Sequence, residues 1–180
     1  MKKHILSFIL LLTLSGCLTS CVITQYKIRG TYVCQNSIET TTSFDKVWDN
    51  VIDFFAENSI SINTISKESG LIVANDVAID SSLVTFEDIN GRIVDRSAWF
   101  VVPYMDDVVG GRAKCSFNVR VKKISETNTF IQVNCYNLVG YYNFKVLNTM
   151  TFKYEIIENI YPRECRSTGR FEKTLLGLFK

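Results

Sequence analysis

The stretch from Cys115 to Val139, CSFNVRVKKISETNTFIQVNCYNLV, decides the fold. In its first half Cys115, Phe117, Val119 and Val121 alternate with polar Ser116, Asn118, Arg120 and Lys122; in its second, Ile131, Val133 and Cys135 alternate with Gln132 and Asn134. A period of two sends alternate side chains to opposite faces of a strand, so the two runs predict an antiparallel hairpin with one buried face, and both cysteines on that face. A loop of Glu126, Thr127 and Asn128 would pair Ser125 with Thr129 and set Cys135 opposite Val119, leaving Cys115 two pairs away. A bulge or a tighter turn would bring the thiols together, since a disulfide needs Cα atoms within about 7 Å.

The same strand pattern extends upstream. SISINTIS (residues 59–66) and LIVAN (71–75) flank Lys67-Glu68-Ser69-Gly70, a second predicted hairpin. LVTFEDINGRIVDRSAWFVVP (83–103) places Asn90-Gly91 between strand-like runs and predicts a third. Ahead of these, TTTSFDKVWDNVIDFFAENSI (40–60) carries Phe44, Val47, Trp48, Val51, Phe54 and Phe55 at helical spacing, with Thr42 and Asp45 placed for a capping box. The chain closes on STGRFEKTLLGLF (167–179), where Phe171, Leu175, Leu178 and Phe179 form one helical stripe. The expectation is a single α+β domain over residues 26–180, an antiparallel sheet of hairpins packed against an N-terminal and a C-terminal helix.

Before the domain, Lys2 and Lys3 precede an apolar run from Ile5 to Leu14 and the small residues Ser15 and Gly16. That run is too short for a membrane span, which takes about 20 apolar residues, and reads as a signal peptide over residues 1–16. Leu14-Ser15-Gly16-Cys17 resembles the lipobox of bacterial lipoproteins, which implies acylation of Cys17, a lipidated tether over residues 17–25 and attachment to the cell envelope. Leu18-Thr19-Ser20-Cys21 fits the same pattern but leaves a longer, more polar region before cleavage, so Cys17 is preferred. Leu18 in place of an aspartate after Cys17 points, in a Gram-negative cell, to the outer membrane, facing the periplasm.

Cleavage there removes the only histidine, His4. Nucleophile systems that use imidazole as base, and zinc sites that use it as ligand, are then closed to the mature chain. Loss of Lys2 and Lys3 leaves 18 basic residues against 18 acidic ones, a balance that argues against nucleic acid. Arg163 to Lys180 is locally basic and reads as a solvated helix face in preference to a lipid-headgroup site. With Cys17 lipidated and Cys21 in the tether, the candidate disulfide residues are Cys115 with Cys135 and Cys34 with Cys165, and without a CxxC spacing zinc knuckles are disfavoured.

Asp45, Asp49, Asp53 and Glu57 fall at intervals of four on the helix, a like-charged stripe that repels itself slightly. It is the candidate interaction surface for a basic partner or a divalent cation, with a solvated face the simpler reading. Tyr104-Met105-Asp106-Asp107 matches a polymerase tetrad by letters alone, and Gly110-Gly111-Arg112 lacks the ending of a phosphate-binding loop. Glu87 with Asp88, or Asp106 with Asp107, would be the acids of a histidine-free glycosidase, but neighbours on a strand point to opposite faces. Tyr136, Leu138, Val139, Tyr141, Tyr142 and Phe144, around Gly140, could instead line a groove for a lipid or other small apolar ligand.

Ser43-Phe44-Asp45-Lys46-Val47-Trp48 opening a helix, Ile60 and Ile62 after it, and Lys67-Glu68-Ser69-Gly70-Leu71-Ile72 at the next turn resemble small bacterial envelope lipoproteins with a helix-grip-like domain. The domains of the C component of the outer-membrane β-barrel assembly machinery are of this kind. The resemblance covers residues 43–76. It implies an antiparallel sheet gripping helices and a non-catalytic accessory or scaffold role through protein contacts. An envelope protein is then the expected partner, alongside the membrane reached through the lipid, with no cofactor, no metal and no nucleic acid.

Overall fold

The computed structural model describes residues 27–105 and 108–180. Cys17, Cys21, the stretch 1–16 read above as a signal peptide, Asp106 and Asp107 lie outside the described residues. The chain runs β1 (Ser37–Thr40), α1 (Phe44–Glu57), β2 (Thr64–Ser66), β3 (Leu71–Ile79), a 3₁₀ turn (Ser81–Leu83), β4 (Val84–Phe86), β5 (Phe100–Val102), β6 (Val108–Lys123), β7 (Thr129–Asn148), β8 (Lys153–Glu164), β9 (Arg166–Ser167) and α2 (Arg170–Gly177). Six strands form one antiparallel sheet in the order β1-β7-β6-β3-β2, with β8 on the same side of β7 as β1, farther along the strand. The coarse expectation, a small α+β domain dominated by an antiparallel sheet with two helices, describes this arrangement.

Alternation on β6 and β7 sorts the two faces as the sequence requires. Phe117, Val119, Val121, Ile131 and Val133 are all fully covered, while Asn118, Arg120, Gln132 and Asn134 line the opposite, polar face. On the covered face α1 turns Val47, Trp48, Val51, Phe54 and Phe55 inward, and α2 turns Phe171, Leu175 and Leu176. The two helices meet the sheet at Phe171, whose ring lies 4.3 Å from Phe117, 5.0 Å from Trp99, 5.6 Å from Phe54 and 6.5 Å from Phe55 between centroids. Burying such a ring removes it from water at about 1.5–3 kcal/mol, and the paired rings add to that.

Gly70 closes the β2–β3 turn at φ +66, and a Cβ there would sit 1.9 Å from the carbonyl oxygen of Val121. The turn therefore seats glycine for two reasons, backbone sign and lack of room.

Five expectations need correction. The β6–β7 loop spans residues 124–128, so Lys123 pairs with Thr129 and Cys135 faces Phe117 rather than Val119. The 83–103 segment is not a hairpin: β4 and β5 run parallel, Val84 opposite Phe100, and β5 pairs antiparallel with β9 to make a separate three-stranded sheet. Asn90-Gly91 does turn the chain, but it closes only the single bridge from Glu87 to Ile93. The Asp88 carboxylate draws in the amides of Asn90 and Arg92 at 2.8 Å. Thr85 Oγ1 then accepts the amide of Asp95 at 3.0 Å and ties the returning chain to β4 by a side chain instead of a ladder. Parallel pairing follows because Phe100, Val101 and Val102 are all buried, leaving no solvated face of the kind an exposed hairpin presents.

The capping box is not formed. Ser43 is the N-cap of α1, no side chain bonds the helix start, and Asp45 instead pairs with Lys67 at 2.7 Å. On α2 the buried stripe is Phe171, Leu175, Leu176 and Phe179, whereas Leu178 is half exposed because the helix ends at Gly177. Last, Cys34, Cys115, Cys135 and Cys165 are all free thiols. Cys115 sits opposite a bulge in β7 at Asn137 and Leu138 and points its thiol at the carbonyls of Ser116 and Tyr136. Cys34 lies 4.0 Å from the Ser167 carbonyl and Cys165 packs its Cβ toward Gly140, and neither of the two pairs is bonded.

The small sheet lies over the same face as the helices. Phe100 approaches Phe117 at 6.4 Å between ring centroids. A Cβ on Gly140 would come within 2.4 Å of Val102 Cγ1, so glycine on β7 is what lets β5 lie this close.

Candidate interaction surface

β7 and β8 outrun the sheet that carries them. The last β6 partner of β7 is Val108, opposite Phe144, yet the β7–β8 ladder continues from Lys145 with Ile156 to Asn148 with Lys153. Beyond Phe144 the two strands form a free-standing ribbon, an element that is marginal in water by itself.

Its side chains are not those of a solvated ribbon. Val146 (42% exposed) faces the same way as Ile157 (49%), while Leu147 (43%), Tyr154 (64%) and Ile156 (69%) share the other face, and the tip adds Met150 (93%) and Phe152 (81%). Apolar residues on both faces and at the turn exceed the scattered single exposures normal for a soluble domain. Lys145 and Lys153 flank the apolar tip, with Lys145 Nζ 4.4 Å from the Tyr154 ring centroid.

The tip is built locally and at a cost. Asn148 Oδ1 accepts the amides of Met150 at 3.0 Å and Thr151 at 3.1 Å, while its Nδ2 donates to Glu155 at 2.7 Å. These bonds replace the glycine of a standard hairpin turn. Phe152 adopts φ +52, a left-handed conformation unfavourable for a bulky side chain, and still presents its ring to solvent.

The acidic stripe is where the periodicity puts it. Asp45, Asp49, Asp53 and Glu57 are exposed on the outer side of α1. Lys67 partly answers the stripe: its hydrogen bond and charge hold the Asp45 carboxyl below the usual range, and Asp45 in turn raises Lys67. Among the described residues no group of His, Cys, Asp or Glu is arranged to hold a metal ion.

Cys34 and Cys135 feel the charge of Glu172, a buried carboxylate that accepts the Ser167 hydroxyl at 2.8 Å. Cys135 is held above the ordinary thiol range by its hydrogen bond with Cys115, then by burial and by Glu172. Burial raises Cys34, with Glu172 adding to it, and burial pushes Cys165 up to about 12. Thiols so placed stay protonated at neutral pH, which is the reverse of nucleophile activation.

The other buried carboxylate, Glu87, holds the N-terminal segment against the domain. It accepts the amides of Arg29 at 2.7 Å and Gly30 at 2.8 Å and the hydroxyl of Tyr32. One residue earlier the amide of Ile28 donates to Glu164 at 3.0 Å, and Glu164 is itself paired with Arg166. Asp88 is committed to the turn through Arg92, so the Glu87 and Asp88 pair serves as structural anchors.

The aromatic run on β7 is divided. Tyr142 is fully buried, donates its hydroxyl to the Pro103 carbonyl at 2.7 Å and stacks on Phe86 at 6.1 Å. Tyr136 donates to Asn75 on β3 at 3.1 Å. Two of the four rings are therefore committed to different parts of the fold.

Sequence reasoning missed the ribbon altogether. Two β-prone runs, NFKVLN and FKYEII, were available, but no Gly or Pro separates them and the turn signal lies in Asn148 alone. Among the described residues no helix is long and apolar enough to cross a membrane. Comparison with protein-family models, with curated proteins and with solved structures finds no match for this chain.

Proposed function

We propose that this chain is a bacterial envelope lipoprotein, acylated at Cys17 and held at the outer membrane facing the periplasm, that works as a non-catalytic accessory or scaffold by offering the β7–β8 ribbon to another envelope protein. The observation that carries this reading is the ribbon itself, apolar on both faces and at its tip, with Lys145 and Lys153 beside it. A ribbon of that kind suits a partner that encloses it or extends its open strand edges, with an acidic rim to meet the lysines. The likeness to a helix-grip-like domain is supported by α1 and α2 lying together on one face of the sheet at Phe171.

Photocrosslinking in cells, with a photoreactive residue in place of Phe152, tests the docking. One discrete, reproducible protein adduct is expected. Adducts to lipid alone, or none, would overturn the scaffold reading. Metabolic labelling with a fatty acid tests the anchor: label should vanish in Cys17→Ala, its persistence there would move the anchor to Cys21, and its absence from the wild type would remove the lipoprotein assignment.

A further inference from the structure

The basic C-terminal segment does not stay a simple solvated helix face. Arg170 and Lys173 from α2 and Lys180 from the chain end converge with Arg96 from the β4–β5 connection on one cleft of about 320 Å³. No Asp or Glu side chain lines this cleft, and among the described residues none of the four side chains has an ion-pair partner. The remaining wall includes Ile93 and Val33, the latter 89% exposed.

Four unpaired cations from two separate segments repel one another, and a chain with 18 acids had counterions to spend elsewhere. Arg170 and Lys173 also stand in the opening turns of α2, where the helix dipole disfavours positive charge. The one acid in that first turn, Glu172, is buried and bonded to Ser167, so it does not neutralise the cleft. An anion in the cleft reverses both penalties, and the apolar wall suits an anion carried on a hydrocarbon body.

We infer that this cleft is a binding site for a phosphate group, in the first place the headgroup of an anionic phospholipid. Val33 and Gln35 in its wall belong to the segment that Glu87 clasps and that leads back toward Cys17. From Lys27 to Cys17 the chain spans at most about 35 Å when extended, so a domain tethered at Cys17 can bring the cleft to the headgroup layer. That placement rests on the lipoprotein reading; the cation cluster does not.

The test is calorimetric titration of the full chain in non-ionic detergent, using dihexanoyl phosphatidylglycerol, dihexanoyl phosphatidylcholine and inorganic phosphate as probes. Saturable binding of phosphatidylglycerol is expected, weakening as salt is raised. Binding should fall about tenfold or more in Arg170→Gln/Lys173→Gln, the loss of two charge-assisted contacts. Both residues are exposed, so an unchanged unfolding midpoint verifies the fold of the variant. Inorganic phosphate binding as tightly as phosphatidylglycerol would support the site with a free phosphate as its source. Equal affinity for phosphatidylcholine, binding unchanged in the variant, or no saturable binding to any probe would overturn it. None of these outcomes depends on the protein adduct at Phe152, so the two readings fail separately.

Discussion

The hydroxyl of Tyr32 donates to the carboxylate of Glu87, fixing the segment ahead of β1 to the end of β4 across 55 residues of sequence. Glu87 is 1% exposed and takes two backbone amides in addition. Glu87→Ala strands three donors in or near the interior and should lower stability by about 3 kcal/mol, whereas Tyr32→Phe should cost about 1 kcal/mol. Urea unfolding measures both, and limited proteolysis should open residues 27–36 in the first variant before any other site.

Phe171 joins both helices, the sheet and Trp99. Phe171→Ala should cost about 3–5 kcal/mol, since the four surrounding rings cannot all close on the cavity. A loss near 1 kcal/mol in the same urea experiment would mean that the helices do not share this centre.

Alkaline pH should destabilise the fold. Burial raises Cys165 from 9.0 to about 12, and Cys34, Cys135, Tyr142 and Tyr32 are all raised above their ordinary values. Below the thiol value of 9.0 both states keep these protons and the contribution is fully present. Above it the unfolded chain releases protons that the folded chain retains, so stability falls as pH rises. Urea midpoints should be level from neutrality to about pH 9 and then decline, with a shallower decline in Cys165→Ala. A midpoint that rises above that pH would contradict the burial of these groups.

Peptide mapping without reductant, after alkylation in denaturant, should recover Cys34, Cys115, Cys135 and Cys165 each as a single alkylated peptide. A crosslinked Cys115–Cys135 pair would require the β7 bulge opposite Cys115 to be rearranged, because Cys135 faces Phe117 in the present register.

Phe152→Gly should raise stability by about 0.5–1 kcal/mol, because glycine accepts φ +52 without the strain an aromatic residue carries and no interior contact is lost. Thermal unfolding reads the gain. A destabilised variant would place the Phe152 ring in the core, and a stabilised one marks an aromatic kept at the tip for reasons other than folding.

The hairpin of β6 and β7, the turn at Gly70 and the buried face of α1 were legible because each follows from side chains within a few residues of one another. Val47, Trp48, Val51, Phe54 and Phe55 had to share a face in any helix, and Phe117 and Val119 in any strand. The Cys135 register was not legible, since a loop of three and a loop of five residues keep the same alternation and only packing separates them. The acidic stripe was legible because it lies where periodicity puts it, whereas the ribbon was not, and the cleft gathers Arg96 to residues more than 70 positions away.

The sequence by itself determined which side chains of α1, β6 and β7 face the interior and that the chain turns at Gly70, because those depend on backbone period and local hydrogen bonds. Tertiary structure alone decided that β4 and β5 run parallel, that β7 and β8 project past β6, and that Glu87 clasps the N-terminal segment. Each of these is a contact between distant segments, and many pairings bury the same residues. The choice falls to the one arrangement that also satisfies the buried polar groups and lets Gly140 pass beneath Val102.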